Sequence, residues 1–181
     1  VNDRHAGELR VEAPARFVVS DLQPKTTTVT TGETLDVLAT ITNNGTVGAT
    51  KNAELRIGDR TVDTENTTLG ESDSTTIEFS DVDTTELTPD SYTHAVWTED
   101  SSATGALTVE PKPANLSLES AVLNTTRVFE GDSVRTTATV ENTGGSTGTF
   151  TAELRLNGET IDTQSVSVDP DATETLPFEP T

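Results

Sequence analysis

Apolar and polar residues alternate in several short segments of the chain, and residues 35–41 show the pattern most clearly. Val37, Ala39 and Ile41 are apolar, and the residues between them are polar apart from Leu38. A period of two places alternate side chains on opposite faces of a β-strand, so this segment predicts a half-buried strand with Leu38 on its outer face. Short strands of this kind, separated by turns, are typical of an antiparallel β-sandwich.

The same pattern recurs along the first part of the chain and predicts seven strands. They contain residues 17–19, 35–41, 53–57, a short segment of residues 60–69, and residues 75–79, 92–98 and 107–109. Asn43-Asn44-Gly45 and Gly58-Asp59 are predicted turns, where Gly or Asn is able to adopt a positive φ. No segment has the 3.6-residue periodicity of a convincing helix, so we expect a sandwich of two sheets.

A repeat organises the chain, because residues 32–64 return as residues 131–163 without a gap. Ala53-Glu54-Leu55-Arg56 reappears unchanged 99 residues later as Ala152-Glu153-Leu154-Arg155. A period near one hundred residues is too long for a solenoid repeat and matches one small β-domain per copy. The fold class we predict is therefore all-β, with immunoglobulin-like β-sandwiches in tandem.

Short Pro/Ala segments mark the predicted domain boundaries. Ala13-Pro14-Ala15 and Pro111-Lys112-Pro113-Ala114 are short and stiff, as linkers between domains are. Residues 7–12 resemble residues 105–110, the predicted last strand of the first full domain. We therefore predict three parts, namely the last strand of a preceding domain in residues 1–12, one sandwich in residues 13–111, and a second sandwich in residues 112–181.

The second sandwich is predicted to lack its last two strands. Phe178 falls where Phe79 falls in the first copy, and the sequence has no counterpart of residues 92–109 after it. Such a sandwich exposes an apolar face and an unpaired edge, so either the chain is a fragment or a strand from another molecule completes the fold by β-strand addition. Residues 7–12 are a strand of the right type. The partners we expect are other copies of the protein or other surface proteins.

The charge of the chain excludes several classes of partner. Its formal net charge is −20, with 31 Asp and Glu against 11 Lys and Arg. This charge repels nucleic acid and anionic membranes, because both attract proteins through Lys and Arg. Self-repulsion also destabilises the compact state unless salt screens it. An acidic, Lys-poor, Thr-rich surface is typical of proteins from molar salt, so we expect a halophilic organism; an ordinary acidic secreted domain is the alternative.

The chain has no Cys, and therefore neither a disulfide nor a thiolate metal site. No apolar run has the length of a membrane helix or a signal peptide. Val1 is not a natural start, so we expect the chain to be processed or cut from a longer protein. We expect an extracellular or cell-surface location, without direct membrane insertion of this segment.

Histidine is scarce, with His5 and His94 alone. His94 lies two residues after Tyr92, and this parity points both side chains inward; Tyr92 also suits a tyrosine corner. We expect His94 to be partly buried and hydrogen-bonded rather than a catalytic base. Since neither a Ser/His/Asp arrangement nor a phosphate-binding glycine loop follows from the spacing, we predict no enzymatic activity, no catalytic residue and no cofactor-binding residue.

Two predicted loops concentrate carboxylates. They contain Asp81, Asp83, Glu86 and Asp90 in the first domain and Asp169 and Asp171 in the second. Ca²⁺ takes about six to eight oxygen ligands, which clustered carboxylates are able to supply. The spacing of an EF-hand is absent, and so acidic a chain clusters carboxylates by chance. We expect a solvated acidic face without a metal site, and keep Ca²⁺ as the alternative.

Trp97 is the one tryptophan of the chain. Its parity is opposite to that of Tyr92 and His94, which places it on the outer face of the strand with Thr93 and Ala95. An exposed Trp is able to stack on a sugar or to anchor a protein contact. The alternative is that it packs against a neighbouring strand, domain or glycan.

N-glycosylation sequons are frequent in the chain. They begin at Asn44, Asn66, Asn115 and Asn124, all in predicted turns or junctions. A glycan needs such an exposed position. If the protein lies at a cell surface, we expect at least one of them to be glycosylated.

The turns and core strands resemble those of CARDB-type domains, the cell-adhesion-related immunoglobulin-like modules of archaeal and bacterial surface proteins. The matching blocks are Gly32-Glu33, the strand into Asn43-Asn44-Gly45, Ala53-Glu54-Leu55-Arg56-Ile57-Gly58, Ile77-Glu78-Phe79, and Tyr92 followed by Asp100. The second copy carries the first three blocks and Phe178. The resemblance implies an immunoglobulin-like fold and a role in adhesion, and the acidic, Thr-rich surface resembles that of surface glycoproteins from salt-loving archaea.

The function we expect is a non-enzymatic extracellular structural or adhesion module of a halophilic archaeon, as a stalk, a filament or a cell-envelope component. One alternative is a carbohydrate- or protein-binding adhesin domain that uses Trp97. Another is an accessory domain of a larger secreted enzyme. No motif in the sequence identifies the partner.

Overall fold

The computed structural model describes residues 9–179, in which the regular secondary structure consists of thirteen β-strands. This confirms the all-β prediction. The chain divides between Glu110 and Pro111 into two compact units, named unit 1 and unit 2 below, and the predicted boundary lies one residue later. Within the described residues, no helix is long and apolar enough to cross a membrane.

Most of the segment predicted to end a preceding domain lies outside the described residues. Of residues 1–12, the structure describes only residues 9–12, and these are not part of a strand. Leu9 and Val11 are 88% and 84% exposed. The assignment of residues 1–12 to a preceding domain therefore stays a prediction.

Unit 1 contains eight strands in two sheets. They are β1 (Phe17–Gln23), β2 (Thr26–Thr30), β3 (Thr34–Asn43), β4 (Ala49–Ile57), β5 (Arg60–Leu69), β6 (Ser74–Asp83), β7 (Asp90–Trp97) and β8 (Ser102–Glu110). One sheet has the order β1-β3-β6 and the other the order β2-β8-β7-β4-β5, with β2 and β8 parallel and all other neighbours antiparallel. The alternation of apolar and polar residues predicted seven of these strands. It missed β2, because the sequence of β2, TTTVT, has a single apolar residue.

The inward faces of the two sheets form the core of unit 1. Val37, Ala39 and Ile41 on β3 are fully buried, whereas Leu38 is half-buried on the outer face, as the alternation predicts. Phe79 on β6 packs in the same core cluster. Burial of one large aliphatic or aromatic side chain stabilises a fold by about 1.5–3 kcal/mol, so these strands hold the sandwich together without a disulfide.

A buried asparagine connects the start of unit 1 to two of its loops. Asn43, at the end of β3, is fully buried. Its Nδ2 donates hydrogen bonds to the carbonyl oxygens of Val47 (2.9 Å) and Gly70 (2.8 Å). Its Oδ1 accepts hydrogen bonds from the backbone N–H groups of Arg16 (3.1 Å) and Gly45 (3.0 Å). These four bonds, named the Asn43 network, use the full hydrogen-bonding capacity of the amide.

Unit 2 repeats this network around Asn142, which is also fully buried. Its Nδ2 donates to the carbonyl oxygens of Ser146 (2.8 Å) and Asp169 (3.1 Å), at the positions equivalent to the acceptors of Asn43. Its Oδ1 accepts from the N–H groups of Asn115 and Gly144, both at 3.0 Å. The repeat therefore preserves a polar network in the core as well as the strand pattern.

The turn after β3 forms where predicted, but the need for glycine there has a different cause. The expected positive φ is absent from Asn43, Asn44 and Gly45. A Cβ atom on Gly45 would instead overlap the carbonyl oxygen of Pro14, so the glycine allows two backbone segments to approach closely. Gly58, in the other predicted turn, does have a positive φ of 58°.

Unit 2 contains five strands that correspond to β1, β3, β4, β5 and β6. They are β9 (Leu116–Leu123), β10 (Thr136–Asn142), β11 (Gly148–Leu156), β12 (Glu159–Val168) and β13 (Thr173–Phe178). β13-β10-β9 form one sheet and β11-β12 the other. The register is the same in both units, since Leu116 pairs with Asn142 as Phe17 pairs with Asn43.

The second sheet of unit 2 is reduced to two strands in the described residues. Residues 111–179 contain no strand that corresponds to β2, β7 or β8. The sequence predicted the loss of two strands, β7 and β8. Residues 125–129, the counterpart of β2, are not a strand either, because the hydrogen-bonding partner of β2 in unit 1 is β8.

Candidate functional site

The outer face of the five-stranded sheet presents the tryptophan that the sequence analysis singled out. Trp97, at the end of β7, is 40% exposed, as its parity predicts. The guanidinium carbon of Arg56 on β4 lies 4.9 Å from the centroid of the indole ring, a cation–π contact. Ala95, expected on the same face, is buried, because its cross-strand partners Arg56 and Thr104 flank it.

A carboxylate holds Arg56 in this position. Glu54 Oε2 accepts hydrogen bonds from Nε (3.0 Å) and an Nη atom (2.7 Å) of Arg56, and from the hydroxyl of Thr61 (3.3 Å). The bonds from Arg56 lower the pKa of Glu54, with a smaller contribution from Thr61. The side chains are partly exposed, so this pair positions the guanidinium more than it stabilises the fold.

Lys51 and Asp100 form a second ion pair, on the inner side of β4, where the Lys51 Nζ atom lies 5.8 Å from the ring centroid of Phe17. The Lys51 Nζ atom lies 2.7 Å from Asp100 Oδ2 and 3.4 Å from a carboxylate oxygen of Glu99. The backbone N–H of Phe17 also donates to Asp100, at 2.8 Å. The bond to Lys51, helped by that of Phe17, lowers the pKa of Asp100, and the same bond raises the pKa of Lys51.

Sequence reasoning did not find this ion pair. The available signal was the rarity of lysine, since Lys51 is one of three in an acidic chain and lies on a strand. Asp100 entered only through the family resemblance. Its contacts with the start of β1 give it a structural role in this protein.

These residues border an open cleft of about 400 Å³ on unit 1. Its lining includes Trp97, Lys51, Asn52 and Glu99. An exposed indole beside an amide and a carboxylate has the chemistry that binds a polar ligand such as a sugar. Arg56 already lies over the ring, so a ligand contacts the part of Trp97 that the guanidinium leaves exposed.

Unit 2 repeats the arginine arrangement but has no tryptophan beside it in the described residues. Arg155 donates to Glu153 at 2.9 Å, and Thr160 donates to the same carboxylate oxygen at 3.3 Å. The Arg–Glu–Thr arrangement therefore belongs to the repeated framework. Lys51 is particular to unit 1, since Phe150 stands at the equivalent position of unit 2.

His94 is a structural residue of the unit 1 core. It is fully buried, and its Nε2 lies 2.7 Å from the carbonyl oxygen of Pro24. The ring therefore donates from Nε2, which leaves Nδ1 buried without a hydrogen-bond partner. Burial lowers the pKa of His94, and the bond to Pro24 opposes this effect only in part. His5 lies outside the described residues.

Tyr92 forms the predicted tyrosine corner. Its hydroxyl donates to the carbonyl oxygen of Thr88 at 2.9 Å, four residues upstream. The bond closes the loop that leads into β7. The inward orientation predicted for Tyr92 and His94 is confirmed, with Tyr92 packed against the core cluster.

The acidic loops are occupied by local contacts. Asp83 accepts hydrogen bonds from Thr85, and Glu86 pairs with Arg60 at 2.8 Å. In the second loop, Asp169 accepts a hydrogen bond from a threonine hydroxyl at 2.9 Å. Across residues 9–179, no group of three or more acidic or histidine side chains is arranged to hold a metal ion.

The four sequon asparagines are all exposed, but one is not in a turn. Asn44 lies in the loop after β3, Asn115 directly before β9 and Asn124 directly after it. Asn66 lies within β5, so its predicted location was wrong; pairing with β4 continues the strand through this polar segment, and β5 is at the edge of the sheet. The Asn115 amide nitrogen donates to Thr143 at 2.7 Å, so this side chain is already engaged.

The open side of unit 2 forms an apolar cleft of about 710 Å³. Leu156 is 62% exposed there, whereas its counterpart Ile57 in unit 1 is 2% exposed. Val128 is 50% exposed, and its counterpart Val29 is 8% exposed. The apolar lining of this cleft, named the unit 2 cleft, comprises Leu123, Val128, Val134, Leu154, Leu156 and Ile161. It is the core face that β7 and β8 cover in unit 1.

Comparison with known proteins gives neighbours in fold but no relative in sequence. No family model and no curated protein matches the chain. A β-glucosidase from Listeria innocua, solved with isofagomine, matches 54% of this chain with 20% identity and a TM-score of 0.43, and the match spans 16% of the enzyme. The N-terminal eight Ig domains of Down Syndrome Cell Adhesion Molecule match 83% of this chain and 19% of theirs, with 16% identity and a TM-score of 0.32.

One structural neighbour is a CARDB domain, the type of module that the sequence resembles. It comes from a Pyrococcus furiosus protein and was solved in complex with di-metal ions. The match covers 56% of this chain and 97% of that domain, with 11% identity and a TM-score of 0.43. At these identities, the likenesses concern the fold alone.

Proposed function

We propose that this chain is a non-enzymatic structural and adhesion module of an extracellular surface, acting as a stalk, a filament or a cell-envelope component. The observation that carries the proposal is that the chain builds the same sandwich framework twice. What the two units share is the Asn43 network, repeated around Asn142, and the outer Arg–Glu–Thr arrangement. Repetition of framework contacts suits a protein whose task is to extend and to connect.

The surface chemistry supports an environment of concentrated salt, as in a halophilic archaeon. A net charge of −20 destabilises the fold by self-repulsion in dilute buffer. Salt screens this repulsion, and the Debye length falls from about 10 Å at 0.1 M to shorter distances at higher concentrations. Among the sequons, Asn44 and Asn66 are exposed on unit 1 and are the positions where we expect a glycan.

The partners we propose are other copies of the chain or other surface proteins that add a β-strand to unit 2. The unit 2 cleft and the open edge of β11 are the features that support this mode of association. Nucleic acid and direct membrane insertion of this segment are not part of the proposal, because the chain is strongly acidic.

Labelling of intact cells tests the location. Antibodies raised against residues 9–179 are applied to intact and to lysed cells of the producing organism, and the protein is followed after brief protease treatment of intact cells. We expect labelling and proteolysis on intact cells, with a mass decrease of the released protein when Asn44→Gln and Asn66→Gln are introduced. Labelling confined to lysed cells would refute the surface location.

A second candidate function is ligand binding at Trp97, which the cleft beside it favours. Titration of the intrinsic fluorescence with oligosaccharides is specific to this site, because Trp97 is the one tryptophan. Saturable changes that Asn52→Ala weakens would favour an adhesin, because Asn52 is exposed and lines the cleft. A matched Thr151→Ala variant, at the equivalent position of unit 2, serves as the control that should leave the titration unchanged.

A further inference from the structure

The open cleft of about 400 Å³ on unit 1, named the Trp97 cleft below, lies where β7 ends. β7 pairs with β4 only as far as Trp97, which stands opposite Glu54. Beyond this pair, β4 continues beside β5. The outward residues Thr50 and Asn52 of this extension line the cleft, with Trp97 at its other border. The cleft is therefore open from the indole towards β5.

Asn66, one of the sequon asparagines, lies on β5 beside this cleft. It pairs with Asn52 of β4, and its side chain is on the outer face with that of Thr68, because Thr67 between them is buried. The hydroxyl groups of Thr68 and Thr50 are hydrogen-bonded to each other across the two strands at 2.7 Å, so both residues share this face. The sequon and the indole therefore belong to the same outer face of the five-stranded sheet.

Asn66 and Trp97 are close enough for one glycan to connect them. They lie two strands apart, on β5 and β7, and their partners on β4, Asn52 and Glu54, are two residues apart. Neighbouring strands are about 4.8 Å apart and successive residues about 3.4 Å, so Asn66 and Trp97 are separated by about 10 Å across the strands and about 7 Å along them. A short chain of sugar rings attached to Asn66 spans this distance.

The surface between the two residues has the chemistry to hold sugar rings. The outward side chains of β4, β5 and β7 carry two charges, those of Glu54 and Arg56, and these pair with each other. This face is thus neutral in a chain whose net charge is −20. Amide and hydroxyl groups hydrogen-bond to sugar hydroxyls, and the part of the indole that Arg56 leaves exposed offers an apolar surface to a sugar ring.

We propose that the glycan attached to Asn66 lies over the Trp97 cleft and stacks on the indole. The inference rests on the proposed surface location, because a sequon is glycosylated only in an exported protein. A single stacking contact is weak, but attachment supplies the sugar at an effective concentration of about millimolar, so a glycan of the same chain outcompetes a dilute free oligosaccharide. The glycan also covers β5, the edge strand, and so protects it from pairing with a strand of another molecule.

Quenching of the Trp97 fluorescence by acrylamide tests the inference on the full chain purified from the producing organism, after mass spectrometry of peptides has given the occupancy of Asn66. Thr68→Val removes the hydroxyl that the sequon requires and retains Asn66, whereas the matched control Thr68→Ser preserves the sequon. The indole is 40% exposed without a glycan, and a sugar ring stacked on it covers at least about half of that surface. We therefore expect Thr68→Val to raise the quenching constant by about twofold or more and Thr68→Ser to leave it unchanged.

A glycan in unit 2 provides the control for position. Ser165→Asn, added to Thr68→Val, creates a sequon with Ser167 at the position equivalent to Asn66. This glycan is far along the chain from the one tryptophan, so the quenching should stay as high as in Thr68→Val alone.

A double-mutant cycle measures whether the glycan and the indole interact. Loss of the glycan in Thr68→Val should lower the thermal midpoint of unit 1 by a few degrees, because the stacking contact is lost. In the Trp97→Thr background the same substitution should have no such effect, since the two sites are then no longer coupled.

Several results would overturn the inference. Unmodified Asn66 in the chain from the producing organism would do so, as would equal quenching in Thr68→Val and Thr68→Ser, which would mean that the glycan points away from the cleft. Binding of free oligosaccharides at Trp97 that is as tight in the modified chain as in Thr68→Val would show that the glycan leaves the cleft open. Unmodified Asn66 on a protein that is labelled on intact cells would refute this inference alone, whereas labelling confined to lysed cells would refute the proposed location.

Discussion

Replacing Asn43 by Ala should destabilise unit 1 strongly. The side chain is fully buried, and its amide bonds to four backbone groups. Ala retains the backbone conformation of a strand end but removes all four bonds. The N–H groups of Arg16 and Gly45 and the carbonyl groups of Val47 and Gly70 would then need new partners.

The magnitude follows from how many of these groups water is able to reach. A buried polar group left without a hydrogen bond costs about 1–3 kcal/mol. Arg16 and Val47 belong to exposed residues, so water is able to replace two of the four bonds, whereas Gly45 is buried. We therefore expect a loss of about 3–5 kcal/mol in the free energy of unfolding of unit 1. Small domains are stable by about 5–15 kcal/mol, so this loss is a large part of the total.

Urea unfolding in concentrated NaCl, followed by tryptophan fluorescence, measures this loss directly. The one tryptophan lies in unit 1, so the signal reports the unfolding of that unit. With a urea dependence of about 2 kcal/mol per molar, the midpoint should fall by about 2 M. Asn44→Ala, at the exposed neighbouring position, should change the midpoint by a few tenths of a molar at most. Asn142→Ala makes the same change in unit 2 and should leave the fluorescence transition in place.

Two results would refute this reasoning. A loss below about 1 kcal/mol for Asn43→Ala would mean that the network contributes little beyond what water replaces. An equal loss for Asn43→Ala and Asn44→Ala would mean that the loop, rather than the buried amide, is sensitive to substitution. In either case the buried amide would not be what makes unit 1 depend on Asn43.

Further predictions concern the core of unit 1 and the charge of the chain. Burial lowers the pKa of His94 below 6.5, so the unfolded state gains a proton that the folded state does not as the pH falls below about 6.5. The free energy of unfolding should therefore be constant above that pH and decrease below it, by up to about 1.4 kcal/mol per pH unit. Urea titrations at pH 7.5 and 5.5 measure this decrease, and His94→Gln should remove it. Gly105→Ala should lower the thermal midpoint of unit 1, because the added Cβ atom would lie 2.5 Å from Cε1 of His94. At Gly158 an added Cβ atom meets no neighbouring atom, so Gly158→Ala should destabilise unit 2 only through the positive φ of 89°. Raising NaCl from 0.1 M to concentrated solution should increase the urea midpoint, since salt screens a net charge of −20; a midpoint independent of salt would contradict the importance given to self-repulsion.

Much of the architecture was predictable from local pattern, because the pleat of a strand imposes its period of two on the sequence itself. Val37, Ala39 and Ile41 were placed inward, and Leu38 and Trp97 outward, without knowledge of any partner strand. The 99-residue repeat likewise predicted two copies of the same sandwich framework. These features depend on residues close together in the chain or on comparison of the chain with itself.

The features that escaped prediction depend on residues far apart in the chain. β2 is a strand because β8, about 80 residues later, pairs with it, and its counterpart in unit 2 has no such partner in the described residues. Asn43 was interpreted as a turn residue, but Gly70 and Arg16, both 27 residues away, make it the centre of a buried network. A buried amide or an unpaired strand is stable only if its distant partners are present, and local pattern carries no record of them. The sequence by itself therefore determined the kind of fold and its repetition. Which polar groups are buried, and that β2 becomes a strand by pairing with β8, only the tertiary structure decided.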